Sequence, residues 1–271
     1  MQTFDPAAFD DFERTSWGRA AGSYVDGFAR LSSQTVAPLL DVVGAGQGKR
    51  LLDVGCGPGV LSSVAVARGC AVTGIDVAES MLAIARAAVP AATFAQADVQ
   101  AGLPYTEGSF DIVAGNMLIH HLSRPSVALS HLVRVLTPGG RLGMTMWDPH
   151  SDNHAVGIFS EAVALAGAEP PAGIPLAPQR LDDQGFAVMF AGAGLSDVAV
   201  THRKFEFVTD PSQWWHAVVS STALTAAIVV AQPDDVQDRI RAAYDRLVQR
   251  YVDDHGVARF PASATLAVGT R

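Results

Sequence analysis

Basic residues are scarce in this 271-residue chain: 19 lysines and arginines stand against 27 aspartates and glutamates, a net charge of -8. A protein that neutralises many phosphates needs the opposite balance, so nucleic acid and anionic membrane surfaces are poor partners. Cysteine is scarcer still. Two thiols cannot build a disulfide framework, and the opening MQTFDPAAFDDFER is acidic where a secretory signal is basic and then apolar, so a reducing, cytoplasmic setting is the expectation. Long apolar runs are missing too. The longest, residues 218–231, is interrupted by Ser220, Ser221, Thr222 and Thr225 and falls short of the roughly 20 residues that span a bilayer, so a buried or lid helix is expected there. Internal repeats and low-complexity tracts are absent.

What is present is a globular composition, 49% apolar and only 17% charged, with length enough for one large α/β domain or one domain and a small addition. Residues 50–147 alternate short β-rich runs with helical stretches, the pattern of βαβ units on a parallel sheet. Strands are expected at 50–54, 71–76, 92–96, 110–114 and 141–147. Helices are expected at 60–68, ended by Gly69, at 79–88, ended by Pro90, and at 125–136, ended by Thr137-Pro-Gly-Gly. An amphipathic leader over 12–43, expected as two helices, precedes this core, which leaves three regions: leader 1–45, core 46–149 and remainder 150–271. In the remainder, helices are expected at 154–166 and 182–193, a proline-rich loop at 169–178, a strand from Asp197, a helix capped by Asp210, a long helix from Gln232-Pro-Asp-Asp to about 252, and a last strand at 259–270.

The stretch LLDVGCGPGV, residues 51–60, is a glycine-rich turn behind a strand. A dinucleotide fingerprint spaces its glycines G-x-G-x-x-G, with the third permitting close helix packing. Here Gly55, Gly57 and Gly59 run G-x-G-x-G, and Val60 occupies the place of that third glycine. Asp53 ends the strand with a carboxylate that would repel a pyrophosphate and attract an ammonium or sulfonium. About twenty residues on, Asp76 ends the second strand, where a carboxylate accepts from both ribose hydroxyls. Asp98 ends the third and can accept from an exocyclic amine, and Asn116 ends the fourth beside the same crevice. A cationic nucleoside fits this set better than a dinucleotide does.

Together with GIDVAESML, FAQADVQAGLPYTEGSFDIV, HHL and RVLTPGGRL, that loop resembles the class I S-adenosylmethionine-dependent methyltransferases, within them the small-metabolite group similar to the ubiquinone and menaquinone biosynthesis enzymes. The resemblance covers residues 24–146 closely and the rest by general layout. It implies a Rossmann-like seven-stranded mixed sheet, last strand antiparallel, with helices on both faces and a helical cap. It also implies S-adenosylmethionine as cofactor and S-adenosylhomocysteine as product. Asp53, Gly55, Cys56, Gly57 and Gly59 would then surround the methionine part and Asp76 would hold the ribose. Val77 and Met81 would pack on the adenine, and Asp98 and Val99 would bind it. Asn116, Met117 and His121 would approach the methionine amine, and Tyr24, with Trp17, would close over the cofactor.

Methyl transfer from a sulfonium needs alignment and dehydration first, and a base only when the acceptor keeps its proton at neutral pH. His121 in MLIHHL can serve a phenol, enol or acidic carbon, and so can His216. A catechol-type metal site requires an aspartate after strand four and an Asp-Asn pair after strand five; Asn116 and Trp147-Asp148-Pro149 do not supply them. The run Asp148, His150, Asp152, His154 reads as a solvated loop, and no metal is expected. The substrate pocket is expected from Trp17, Trp147, Trp214 and Trp215 and from insertions near 150–180 and 210–252, suited to a small apolar or aromatic molecule of the kind met in natural-product biosynthesis. Trp214 and Trp215 could equally anchor the insertion. The rival activity is that of a cyclase or other non-methylating enzyme that keeps the cofactor as a structural or electrostatic element; a pure scaffold would have lost these acids. Monomer and homodimer both remain open.

Overall fold

The computed structural model describes residues 3–149, 151–169, 171 and 173–271. Helices α1 (Pro6–Tyr24), α2 (Ala29–Ser32) and α3 (Val36–Val42) lead into β1 (Arg50–Val54), α4 (Val60–Ala67), β2 (Ala71–Asp76), α5 (Glu79–Ala88), β3 (Thr93–Gln96) and β4 (Phe110–Gly115). Helix α6 (Pro125–Val135) returns the chain to β5 (Leu136–Trp147), and α7 (His154–Leu165) and α8 (Asp183–Gly192) precede β6 (Ser196–Thr209). Then α9 (Pro211–Ser221), α10 (Leu224–Val230) and α11 (Asp234–Leu247) intervene before β7 (Ala258–Thr270).

The sheet runs β3-β2-β1-β4-β5-β7-β6, with β7 antiparallel to both neighbours, the mixed seven-stranded architecture expected from the sequence. A parallel strand covered on both faces has no polar side to show, which is why β1 is apolar at successive positions. Leu51 packs with Leu39, Leu61 and Ile112 on one face, and Leu52 with Leu132 and Leu142 on the other. At the far edge most of β6 is exposed, and His202, Arg203, Lys204 and Glu206 make it a poor template for another strand.

The local differences from expectation have physical causes. Thr137-Pro-Gly-Gly does not close α6 but opens β5: Leu136 already pairs with Phe110, and the register shifts before Ile112 meets Arg141. The leader forms three helices rather than two. The apolar stretch 218–231 is divided between α9 and α10, because the hydroxyls of Ser220, Ser221 and Thr222 each bond back to the carbonyl four residues earlier. Thr222 then accepts from the amide of Ala226 and starts α10. No helix among the described residues is long and apolar enough to cross a membrane.

Helices α7, α9 and α11 build an aromatic core of their own. Trp214 stacks on Phe28 at 5.6 Å and donates its indole N–H to Ala155 O at 2.8 Å, while Trp215 stacks on Phe159 at 5.7 Å and lies beside Tyr244. The cap is thereby fastened to both the sheet and the leader. Asp210 caps α9 by accepting from Gln213 N at 2.8 Å, with Pro211 opening the helix.

Asp148, at the end of β5, is buried and receives the hydroxyls of Ser263 and Thr265 from β7 and Nδ1 of His202 from β6 at 2.9 Å. The other His202 nitrogen meets Asp183 of α8 at 3.0 Å. Burial alone would raise Asp148, but these hydrogen bonds outweigh it and hold the carboxyl below its ordinary value. Asp183 and then Asp148 raise His202. A histidine raised on folding stabilises most below its unfolded pKa of about 6.5, and that contribution disappears as pH climbs through the higher folded value. The ring is 41% exposed, so the contribution should be under about 1 kcal/mol. Thermal melts should therefore place His202→Gln furthest below the parent protein near pH 6, with the gap closing towards pH 9.

Candidate active site

The strand order changes direction of travel at β1, whose neighbours β2 and β4 carry the chain to opposite sides of the sheet, and a crevice opens at the carboxyl ends of those strands. A cavity occupies it, lined by the glycine loop, by the ends of β2, β3 and β4, and by α1 from above. Gly57, at φ +51°, is one position that only glycine fills comfortably, and a Cβ there would meet nothing within 4 Å. The loop thus leaves room for a ligand. Its amide donates to Asp76 Oδ2 at 2.9 Å, and Ala78 N donates to Oδ1 at 2.9 Å, so each carboxylate oxygen keeps a lone pair for a further donor.

Asp53 is 1% exposed and accepts from Ser62 Oγ at 2.6 Å. Burial pushes its carboxyl up to about 7, only partly countered by Ser62. Burial also raises Asp76, against the amides of Ala78, Gly57 and Val77. Asp98 accepts from Gln100 N at 2.8 Å and lines the cavity with Val99, whose carbonyl is taken by His131 while its N–H makes no hydrogen bond among the described residues. Val77 and Met81 form the adjoining apolar wall. Cys56 is lifted well above its ordinary pKa by burial, so it stays a protonated thiol and a small wall residue.

Three expectations need correction here. Gly59 is not part of the lining; a Cβ there would press on Ala85 and Val89 at 3.3 Å, so this glycine lets α4 start close against α5. The Asn116 side chain is already occupied, with Oδ1 at 2.7 and 2.8 Å from the hydroxyls of Thr35 and Thr145 and Nδ2 donating to Ser32 O at 3.0 Å. It braces β4 against the leader, which leaves its backbone and the second N–H of Nδ2 for a ligand. Trp214, Trp215 and His216 line neither cavity of this region: the two indoles are buried in the cap core, and His216 is exposed. Met117 lines the cavity at φ +56°, unusual for a residue with a side chain, and its amide is held by Thr145 Oγ1 at 2.8 Å.

The leader contributes more than its sequence pattern suggested. Glu13 of α1 is buried and its Oε2 accepts from Trp17 Nε1 at 2.7 Å and lies 2.8 Å from His121 Nδ1. Trp17 meets Tyr24 edge-on at 5.5 Å and His121 at 5.1 Å. A second cavity of about 330 Å³ adjoins the first, sharing Glu13, Trp17, Phe28, His121, Leu122 and Trp147. Glu13 and Arg14 escaped the sequence reading. Only the spacing of Glu13 four residues before Trp17 on one helix face could have pointed to the first of them.

Among the described residues no group of three or more histidine, cysteine or acidic side chains is arranged to hold a metal ion. Asp148 is engaged in the sheet, His154 contacts Tyr251 at 2.7 Å, and His150 lies outside the described residues.

A family profile described as a methyltransferase domain matches residues 52–144. A malonyl-acyl-carrier-protein O-methyltransferase of Erwinia billingiae is 37% identical over 218 residues, 74% of this chain and 83% of that protein. The chain belongs to the class I S-adenosylmethionine-dependent methyltransferases. A protein of the same name from Enterobacter lignolyticus is 35% identical over 130 residues, 48% of this chain, and there the chain spans 51% of the relative's length. In fold, this methyltransferase is similar to the YcgJ protein of Bacillus subtilis, with a TM-score of 0.57 at 18% identity over 88% of this chain and 98% of that one.

The lining of the methyltransferase's first cavity fits S-adenosylmethionine. Asp10, Glu13, Asp53, Asp76 and Asp98 face a single arginine or lysine, Arg14, which suits a ligand with a sulfonium, an ammonium and hydroxyls and opposes a pyrophosphate. A bound cation favours the ionised form of a carboxyl that is otherwise half-protonated near pH 7. Affinity for S-adenosylmethionine should therefore fall below pH 7, approaching about tenfold per pH unit. Titration calorimetry from pH 5.5 to 8.5 checks this, and Asp53→Asn should flatten the slope.

Proposed function

We propose that this methyltransferase transfers the methyl group of S-adenosylmethionine to an oxygen of a substrate whose body is apolar or aromatic. The observation that carries the proposal is the pair of adjoining cavities with His121 at their junction. The second cavity is walled mostly by apolar side chains, among them Phe9, Phe12, Phe28, Ile119, Met146 and Trp147. Oxygen as acceptor is supported by relatives named as O-methyltransferases. Their names specify a malonyl group on a carrier protein; the apolar walls here favour a bulkier body.

The cofactor supplies an activated methyl group and leaves as S-adenosylhomocysteine. Asp76 would hold the ribose hydroxyls. Asp98 and the Val99 amide would bind the adenine, with Val77 and Met81 as its apolar wall. Gly55, Cys56, Gly57, Asp53 and Asn116 would surround the amino-acid end, and Arg14 would meet its carboxylate. Trp17 and Tyr24 cover the site and exclude water.

Glu13 accepts Nδ1–H of His121, which leaves Nε2 as the basic nitrogen. An acceptor hydroxyl would give its proton to Nε2 as its oxygen took the methyl group, the electron pair of the broken bond leaving with S-adenosylhomocysteine. Replacing His121 by Gln should lower kcat about 100-fold. The KM for S-adenosylmethionine should change little in the same steady-state assay.

A deuterated methyl donor incubated with a metabolite extract, followed by mass spectrometry, tests the transfer itself. A labelled product with matching S-adenosylhomocysteine is expected; turnover without that by-product would favour the cyclase, and absence of label despite tight cofactor binding would overturn the proposal. Asp76→Ala should weaken the cofactor by about 1.5 to 3 kcal/mol through loss of charge-assisted hydrogen bonds. Unchanged affinity in calorimetry would remove Asp76 from the site.

A further inference from the structure

The second cavity contains one feature that an apolar substrate body does not use. Arg180 lines it, on the segment between α7 and α8, and forms no hydrogen bond or ion pair with any described residue. Arg50, Arg86, Arg250 and Arg259 have carboxylate partners in Asp111, Glu79, Glu161 and Glu206, and Arg134 is bound by the carbonyls of Leu103 and Tyr105. The first four are raised by their partners, whereas Arg180 is lowered by desolvation. As a residue it is exposed, which places it where the cavity meets solvent, yet its charge has surrendered part of its hydration without a counter-ion.

No acid within reach compensates. Asp148 acts on Arg180 at a distance, but its oxygens already receive Ser263, Thr265 and His202. Glu13, the acid in the lining of this cavity, is engaged by Trp17 and His121. Next to these, His120 lines the same cavity with a buried Nδ1 that has no hydrogen-bond partner among the described residues, and burial holds the ring neutral. A neutral imidazole with no hydrogen bond fixing it can offer an N–H to an acceptor. Two donors without acceptors in a mainly apolar cavity describe a site for an anion on an apolar body.

We infer that the second cavity recognises a carboxylate on the substrate, held by the Arg180 guanidinium with support from His120. Arg180 lines this cavity and not the cofactor cavity, whereas His121 lines both. The carboxylate is therefore a recognition handle, separate from the hydroxyl that receives the methyl group. The substrate class that follows is a hydroxy acid, phenolic or enolic, on an apolar or aromatic frame. This deepens the proposed function and rests on it.

The test uses the full-length protein saturated with S-adenosylhomocysteine, with saturation measured first so that a failure of the cofactor cavity is seen separately. Calorimetry then compares 4-phenylbutyrate with its uncharged isostere 4-phenylbutyramide. The carboxylate should bind at least about tenfold more tightly. Arg180→Gln should abolish that preference, Arg180→Lys should keep part of it, and S-adenosylhomocysteine affinity should be the same in all three proteins. Equal affinity for the two probes, no binding of either, or a preference that survives in Arg180→Gln would overturn the inference.

Discussion

The constraint on which the site depends is topological: β1 has β2 on one side and β4 on the other, so the chain leaves it in opposite directions and opens a gap where their ends diverge. The hydrogen bond from Gly57 N to Asp76 Oδ2 spans that gap between the loop after β1 and the end of β2. It turns two independently wound βα units into one wall. Both groups must be where they are: a side chain at Gly57 would fill the space above the loop, and a shorter β2 would withdraw the carboxylate.

The leader completes the wall from above with apolar and polar contacts together: Ala21, Trp17 and Tyr24 pack on Ala78 and Met81, and several hydrogen bonds add to that packing. Glu13 brackets Trp17 and His121, Asp10 accepts from Gln100 at 3.0 Å and from Ser123 at 2.8 Å, and Ser80 donates to the carbonyl of Gly18 at 3.1 Å. Glu13 on α1 also meets His121, so the placement of that ring depends on the leader being seated.

Legibility followed the range of the interactions involved. The strands β1 and β2 and helix α5 were readable to the residue, because alternating burial and local turn chemistry decide them within a few positions. The ends of α6 and α9 were not: the Thr137-Pro-Gly-Gly segment belongs to a strand because Phe110 lies beside Leu136, and three back-bonding hydroxyls break an apolar stretch that composition alone leaves whole. Asp53, Asp76 and Asp98 were legible as strand-end acids near one crevice. The internal commitment of the Asn116 amide was not, since its partners Ser32, Thr35 and Thr145 lie far away in sequence.

By itself the sequence determined the class of fold, the cofactor chemistry and the acids that face it, because these rest on spacing within βα units and on the sign of charge at strand ends. Tertiary structure alone decided which aromatics wall the second cavity, that Glu13 meets His121 across 108 positions, and that Arg180 stands without a counter-ion among the described residues. The physical reason is common to all three. Whether a side chain is paired, buried or open to a cavity is settled by neighbours brought together through packing, and no local pattern along the chain encodes which neighbours those will be.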